Sequence, residues 1–216
     1  MRLLSVNISM PRVVREGNRQ IRTGIFKKPV DGPVKVGKLN LEGDAQADLS
    51  VHGGPNKAVY AYSWPNVEFW RRALGRDDLG PGSLGENLTL DDLPDTDISI
   101  GDELEIGTAR FVVTQPRLPC YKLGLVMRMP EFPKMFKHSG RNGFYLRVLR
   151  EGILMAGDAV RKVDCPDGPR MTVAEFASIA TKHTITREDF ERAKNLKALP
   201  DSWKRRLEEE LRERRG

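Results

Sequence analysis

The stretch I-S-I-G-D-E-L-E-I-G-T-A-R-F-V-V-T, residues 98–114, decides the fold class. Apolar and polar residues alternate along it, β-branched side chains are frequent, and Gly-Asp and Gly-Thr break the run where turns belong. Two or three short strands joined by tight turns satisfy that pattern. The same grammar extends in both directions. Residues 2–10 contain L-L-S-V-N-I-S-M, residues 33–41 alternate as P-V-K-V-G-K-L-N-L, residues 57–62 read K-A-V-Y-A-Y, and residues 143–149 and 159–163 add further strand-like runs. Short strands at this spacing predict a barrel or sandwich-like β core.

Helical periodicity interrupts the strands and then replaces them. Residues 64–75 place Val67, Trp70 and Ala73/Leu74 on one face, with Pro65 in the first turn and Gly75 as the stop. A weaker helix, broken by proline, is predicted over 129–138. After C-P-D-G-P the period changes for good. Thr172-x-x-Glu175 is a capping box ahead of Val173, Phe176, Ala177 and Ala180. Thr186 is placed to cap a second helix burying Phe190, Ala193 and Leu196. Asp201 is placed to cap a third with Trp203, Leu207 and Leu211 at i, i+4 and i+8. The predicted protein is mainly β with α: a barrel-like domain over residues 1–166, then a small three-helix domain over 167–216.

Composition bounds the function. At 216 residues, 39% hydrophobic and 31% charged, the chain suits a soluble globular protein with a real core. No apolar run approaches the roughly 18 residues of a membrane span, and the N-terminus lacks a signal-peptide pattern, so a cytoplasmic location is expected. The net charge of +6 is spread out, with 12 Lys/Arg against 9 Asp/Glu in residues 168–216, which argues against a nucleic-acid-binding tail. Two cysteines, Cys120 and Cys165, make no disulfide framework. The histidines at 52, 138 and 183 are scattered and no C-x-x-C pair exists, which argues against a classical zinc site. Walker and Rossmann spacings are absent.

The chemistry-bearing stretches are few. In Q-P-R-L-P-C-Y-K-L, residues 115–123, two prolines stiffen a turn and Arg117 and Lys122 flank Cys120; neighbouring cations favour the thiolate, which is the nucleophilic and metal-binding form. V-H-G-G-P-N-K, residues 51–57, offers two glycines whose N–H groups can line an anion-binding concavity, with Lys57 beside it. G-E-N-L, residues 85–88, brings Asn87, a side chain that both donates and accepts. T-G-I-F-K-K-P-V, residues 23–30, brings Thr23 and either Lys27 or Lys28. G-D-A-Q-A-D, residues 43–48, sets Asp44, Gln46 and Asp48 on alternate positions, which would share a face on an extended chain. Each alone also fits a solvated loop, and Cys120 also fits a small buried apolar residue.

In combination these stretches resemble the MOSC family, named for the C-terminal domain of molybdenum cofactor sulfurase, and within it the bacterial YiiM-type subgroup. T-G-I-F-K-K-P-V-D-G (23–32), L-E-G-D-A-Q-A-D-L-S-V-H-G-G-P-N-K-A-V (41–59), G-E-N-L (85–88), Q-P-R-L-P-C-Y-K-L (115–123) and G-R-N-G-F-Y-L-R-V (140–148) carry the resemblance, in order, over more than half the chain. It implies a β-barrel-like domain that binds a molybdenum–molybdopterin cofactor, with or without an attached nucleotide, and a motif cysteine, Cys120, that ligates the metal. Thr23, Lys27, Asp44, His52, Gly53, Asn87, Gln115 and Arg117 are the further candidate cofactor-binding residues. In that scheme Arg117 and Lys27 neutralise charge, His52 and Gly53 hold a phosphate or pterin edge, and Asn87 and Gln115 read polar edges. Arg141 is expected either at the substrate pocket or at the surface. The resemblance further implies reduction of N-hydroxylated compounds (hydroxylaminopurine-type base analogues, amidoximes, hydroxamic acids) with removal of the N-hydroxyl oxygen at the metal. Without a flavin, nicotinamide, iron–sulfur or haem fingerprint, electrons are expected from a separate flavin or iron–sulfur reductase, for which the helical tail is a candidate docking face. The tail equally suits structural packing or a homodimer contact. The alternative reading is a cofactor carrier or sulfur-handling module without turnover.

Overall fold

The computed structural model describes residues 1–48, 53–164, 168–182 and 185–213, with the Lys182 side chain left out. Twelve strands and six helices occur among them. The strands are β1 (Leu3–Ile8), β2 (Arg12–Glu16), β3 (Arg19–Thr23), β4 (Lys28–Val30), β5 (Val34–Val36), β6 (Val59–Ser63), β7 (Leu88–Leu90), β8 (Glu103–Ile106), β9 (Ala109–Pro116), β10 (Phe144–Arg150), β11 (Gly152–Leu154) and β12 (Val160–Val163). The helices are α1 (Trp64–Leu74), α2 (Lys122–Met127), α3 (Phe132–His138), α4 (Val173–Lys182), α5 (Arg187–Lys194) and α6 (Asp201–Glu213).

The main sheet runs β12-β8-β9-β10-β6-β7-β1-β4, antiparallel except for the β6–β7 pair. It closes because β1 divides its second edge. The C-terminal half of β1 pairs with β4, while its start meets the segment before β12. There Leu3 N–H donates to Asp158 O and Val160 N–H to Met1 O, both at 2.9 Å. Closure leaves seven strands around an interior filled by inward residues such as Leu3, Val6, Leu104, Phe111, Phe144 and Leu146, all fully buried. Each such side chain contributes about 1.5–3 kcal/mol by leaving water.

Two further clusters cover the barrel. On one side Val67 and Trp70 of α1 and Phe132 and Phe136 of α3 pack with Tyr60 and Tyr62 of β6. On the other, α4–α6 bury Phe176, Phe190, Trp203 and Leu207 together with Ile100 and Val112 of the barrel. The tail follows its sequence closely. Thr172 and Glu175 exchange both capping-box bonds, as do Thr186 and Asp189. Asp201 lies inside the first turn of α6, not before it, because Pro200 O already accepts from Trp203 N–H at 2.9 Å.

Residues 33–41 differ from the single strand expected. Only Val34–Val36 extends, and Gly37 N–H donates to Asn40 O at 2.9 Å, so the chain reverses and leaves Leu39 exposed. No described helix is long and apolar enough to cross a membrane.

Candidate functional site

β9 ends at the decisive turn. Pro116, opposite Phe144, closes the ladder with β10, since a proline has no N–H to continue it. Arg117 N–H still reaches Gly143 O at 3.0 Å. Pro119 follows, and Cys120 O accepts from Leu123 N–H at 3.0 Å, starting α2. Cys120 thus sits, half-buried, on a strand-to-helix corner fixed from both sides. The tail braces that corner: Leu118 packs on the α4–α6 cluster, and Trp203 Nε1 donates to Gln115 Oε1 at 2.6 Å.

Cys120 opens onto a cleft of about 670 Å³, solvent at its mouth included. Thr23, Lys27, Asp44, Gln46, Asn87 and Arg117 line it with Cys120, and so do Lys57, Tyr60, Lys122 and Tyr145. The cleft therefore gathers four cationic side chains and one carboxylate among its described residues. The close approach of residues 24 and 45 helps to form it: a Cβ on Gly24 would lie 2.6 Å from Ala45 O, so only glycine lets the two segments meet.

Lys27 Nζ pairs with Asp44 Oδ1. Asp44 also accepts from Ser9 N–H at 2.9 Å and, through Oδ2, from Asn87 Nδ2 at 2.9 Å. Asn87 Oδ1 accepts from Tyr60 N–H at 3.1 Å. Burial pushes the Lys27 ammonium below its ordinary range, the Asp44 charge opposing but not cancelling it. Burial lowers Lys57 as well. Arg117 is 5% exposed, its guanidinium stacked 5.1 Å from the Tyr60 ring and 5.2 Å from Phe136. Burial drives the Tyr60 phenol well above its usual range, against the pull of Arg117. The Cys120 sulfur lies within electrostatic reach of Arg117 and Tyr145.

The structure resolves the choice between the paired lysines: Lys27 enters the cleft, whereas Lys28 is exposed on β4. It corrects three expectations. Gln115 lies outside the cleft lining, and Asn56 O and Trp203 engage both ends of its amide. Gly53 does not line the cleft. Asp44, Gln46 and Asp48 share no strand face; their segment is a loop that delivers Asp44 and Gln46 but not Asp48. Arg141 stays away from the cleft, donating to Asn66 Oδ1 at 2.8 Å and covering the Phe69 ring. His52 lies outside the described residues. Sequence reading missed Tyr60 and Tyr145, which pair across β6 and β10; the alternation of Y-A-Y was the signal that Tyr60 and Tyr62 share a face.

The fold and the site define a class: a β barrel with a thiol at the corner of a cleft lined, among the described residues, by four cationic side chains and one carboxylate. Comparison with known proteins gives the family. The model of the MOSC domain matches residues 48–161. YflK of Bacillus subtilis is 35% identical over 203 residues, covering 94% of this chain and 90% of that protein. YiiM of Escherichia coli is 31% identical over 189 residues, covering 86% and 83%. A protein of Gibberella moniliformis named Reductase is 33% identical over 150 residues; the match covers 68% of this chain and 27% of that much longer protein. The crystal structure of YiiM from Geobacillus stearothermophilus superposes with a TM-score of 0.81 at 31% identity, covering 97% of this chain and 98% of that one. The chain belongs to the MOSC domain family.

Proposed function

We propose that this protein is a molybdenum-cofactor-dependent reductase of N-hydroxylated compounds such as hydroxylaminopurine-type bases and amidoximes. The observation that carries the reading is the Arg117 guanidinium. Arg117 lines the cleft, and its Nη1 is buried and meets no hydrogen-bond partner among the described residues. A buried donor left so costs about 1–3 kcal/mol or more, which an anionic ligand would recover. The donor set fits a molybdopterin-type group: a thiol for a metal already bound by sulfur, cations for phosphate, and Thr23 for a polar heterocycle, while Asn87 spends both ends of its amide on holding Asp44 and Tyr60 N–H.

When bound, that cofactor supplies the two-electron chemistry that separates nitrogen from oxygen. The chain's residues do the rest. Cys120 offers the metal its protein sulfur. Arg117, Lys57 and Lys122 bring positive charge to the anion. Asp44 fixes the Lys27 ammonium, a cation of the cleft whose hold on its proton burial weakens. Overall, two electrons and two protons turn N–OH into N–H and release water. The electrons come from a separate flavin or iron–sulfur reductase, and the reaction takes place in the cytoplasm.

Turnover tests the reading. Protein made in a host that synthesises molybdenum cofactor is given reduced viologen and N-hydroxylaminopurine. Loss of the hydroxylamine with matching viologen oxidation is the expected result. Full cofactor loading without turnover would leave the carrier reading in its place.

A further inference from the structure

Asp95 is 4% exposed and stands outside the cleft lining, yet its bonds lead directly to Arg117. Its Oδ2 accepts from two successive peptide groups, Asn142 N–H at 2.7 Å and Gly143 N–H at 2.9 Å. That turn grips Arg117 on both sides: Arg117 N–H donates to Gly143 O at 3.0 Å, and Asn142 Nδ2 donates to Arg117 O at 3.1 Å. The turn also holds the ring beneath the guanidinium, since Tyr60 Oη donates to Asn142 O at 2.9 Å. There is no slack in it. Gly143 adopts φ +64°, and a Cβ there would lie 2.6 Å from both Ala61 O and the Tyr62 ring.

We propose that Asp95 is a positioning residue for Arg117, that it acts through the Asn142–Gly143 turn, and that its ionised form is the one that holds the cleft guanidinium in place. Two N–H groups converging on one oxygen demand a strong acceptor, and a carboxylate is a stronger one than a carboxylic acid or an amide. Burial raises the Asp95 carboxyl to about 6, against the pull of the two peptide donors and of Arg141, so the switch between the forms falls in mildly acidic solution.

The groups around Asp95 leave few competitors for that titration. From β6, Tyr62 faces it, with a phenol pushed far up by burial and by the Asp95 charge itself. From α1 and the loop before β10 come Asn66 and Arg141, paired with each other. On its own loop, Asp92 and Asp97 are exposed and Asp91 is half-exposed. On α4, which packs below, Glu175 is turned to Thr172 N–H and Arg192. His138 of α3 is exposed and bonded to Lys134 O.

The proposal rests on the reductase reading only in treating Arg117 as a ligand-holding group, and it is tested without any ligand. The full-length, cofactor-free protein is labelled with nitrogen-15, and the Arg117 Nε–Hε resonance is assigned by its loss in Arg117→Lys. In the wild type that resonance is expected to move with a midpoint near pH 6 as pH is taken from about 5 to about 7.5. In Asp95→Asn it is expected to stand displaced at neutral pH and to show no such midpoint. A flat wild-type profile overturns the proposal. So does an unchanged titration in Asp95→Asn, or a variant that loses thermal stability while the Arg117 resonance keeps its wild-type position. Failure of the cofactor reading would instead appear as protein that never acquires molybdenum, whatever Arg117 does in the spectrum.

Discussion

Replacing Arg117 by methionine separates ligand binding from folding. In the wild type the guanidinium gains from two aromatic faces, at 5.1 and 5.2 Å, each worth about 0.5–2 kcal/mol. Against that, a cation at 5% exposure carries a desolvation cost of several kcal/mol. Methionine keeps much of the length and fills the space between Tyr60 and Phe136 without charge. The two changes oppose each other, so the unfolding free energy of the cofactor-free protein should move by no more than about 1–2 kcal/mol. Ligand binding has no such compensation. One charge-assisted hydrogen bond lost, at about 1.5–3 kcal/mol, raises a dissociation constant about 10- to 150-fold. Denaturant titration of the apoprotein measures the first quantity, and pterin fluorescence after prolonged dialysis the second. The reasoning is refuted if Arg117→Met keeps wild-type occupancy while its stability falls by several kcal/mol, for then Arg117 serves the fold and not the ligand.

Two more outcomes follow from buried polar groups. Asp95 holds its proton up to about pH 6 when folded but only to 3.8 when unfolded, so it favours the native state below pH 3.8 and that advantage disappears as pH rises to about 6. At 1.36 kcal/mol per pH unit the loss is about 3 kcal/mol; the stability difference between Asp95→Asn and wild type should shift toward the variant by up to that amount across the window, and parallel pH profiles in urea would contradict it. Trp203→Phe deprives the buried Gln115 Oε1 of its donor and should destabilise the protein by about 1–3 kcal/mol. Unchanged denaturation midpoints would show that the tail does not brace β9 through that bond.

The sequence revealed local structure better than long-range pairing. The tail was legible because Thr172/Glu175 and Thr186/Asp189 cap helices whose apolar faces recur at i, i+3 and i+4, a signal contained within each segment. Most barrel strands were legible from alternation, and the corner at Cys120 from its prolines. The β2–β3 hairpin was overlooked although Gly17-Asn18 between two alternating runs is turn chemistry. The place of Gln115 was not legible because nothing near it announces Trp203, 88 residues away. Lys27 and Lys28 are alike in sequence; which one turns inward depends on β4 pairing with β1 and on Asp44 arriving from another loop. Asp95 could not be singled out from D-D-L-P-D-T-D, since its burial is created by the turn at Asn142 and Gly143.

The central claim is that Cys120 anchors a molybdenum cofactor in this cleft. Wild type and Cys120→Ala, expressed side by side in a host that makes the cofactor, should be compared for molybdenum per protein by mass spectrometry, with the fluorescence of the oxidised pterin recorded alongside. Near-stoichiometric metal in the wild type and its loss in the variant is the predicted result. Equal metal in both proteins, or none in either, would contradict it.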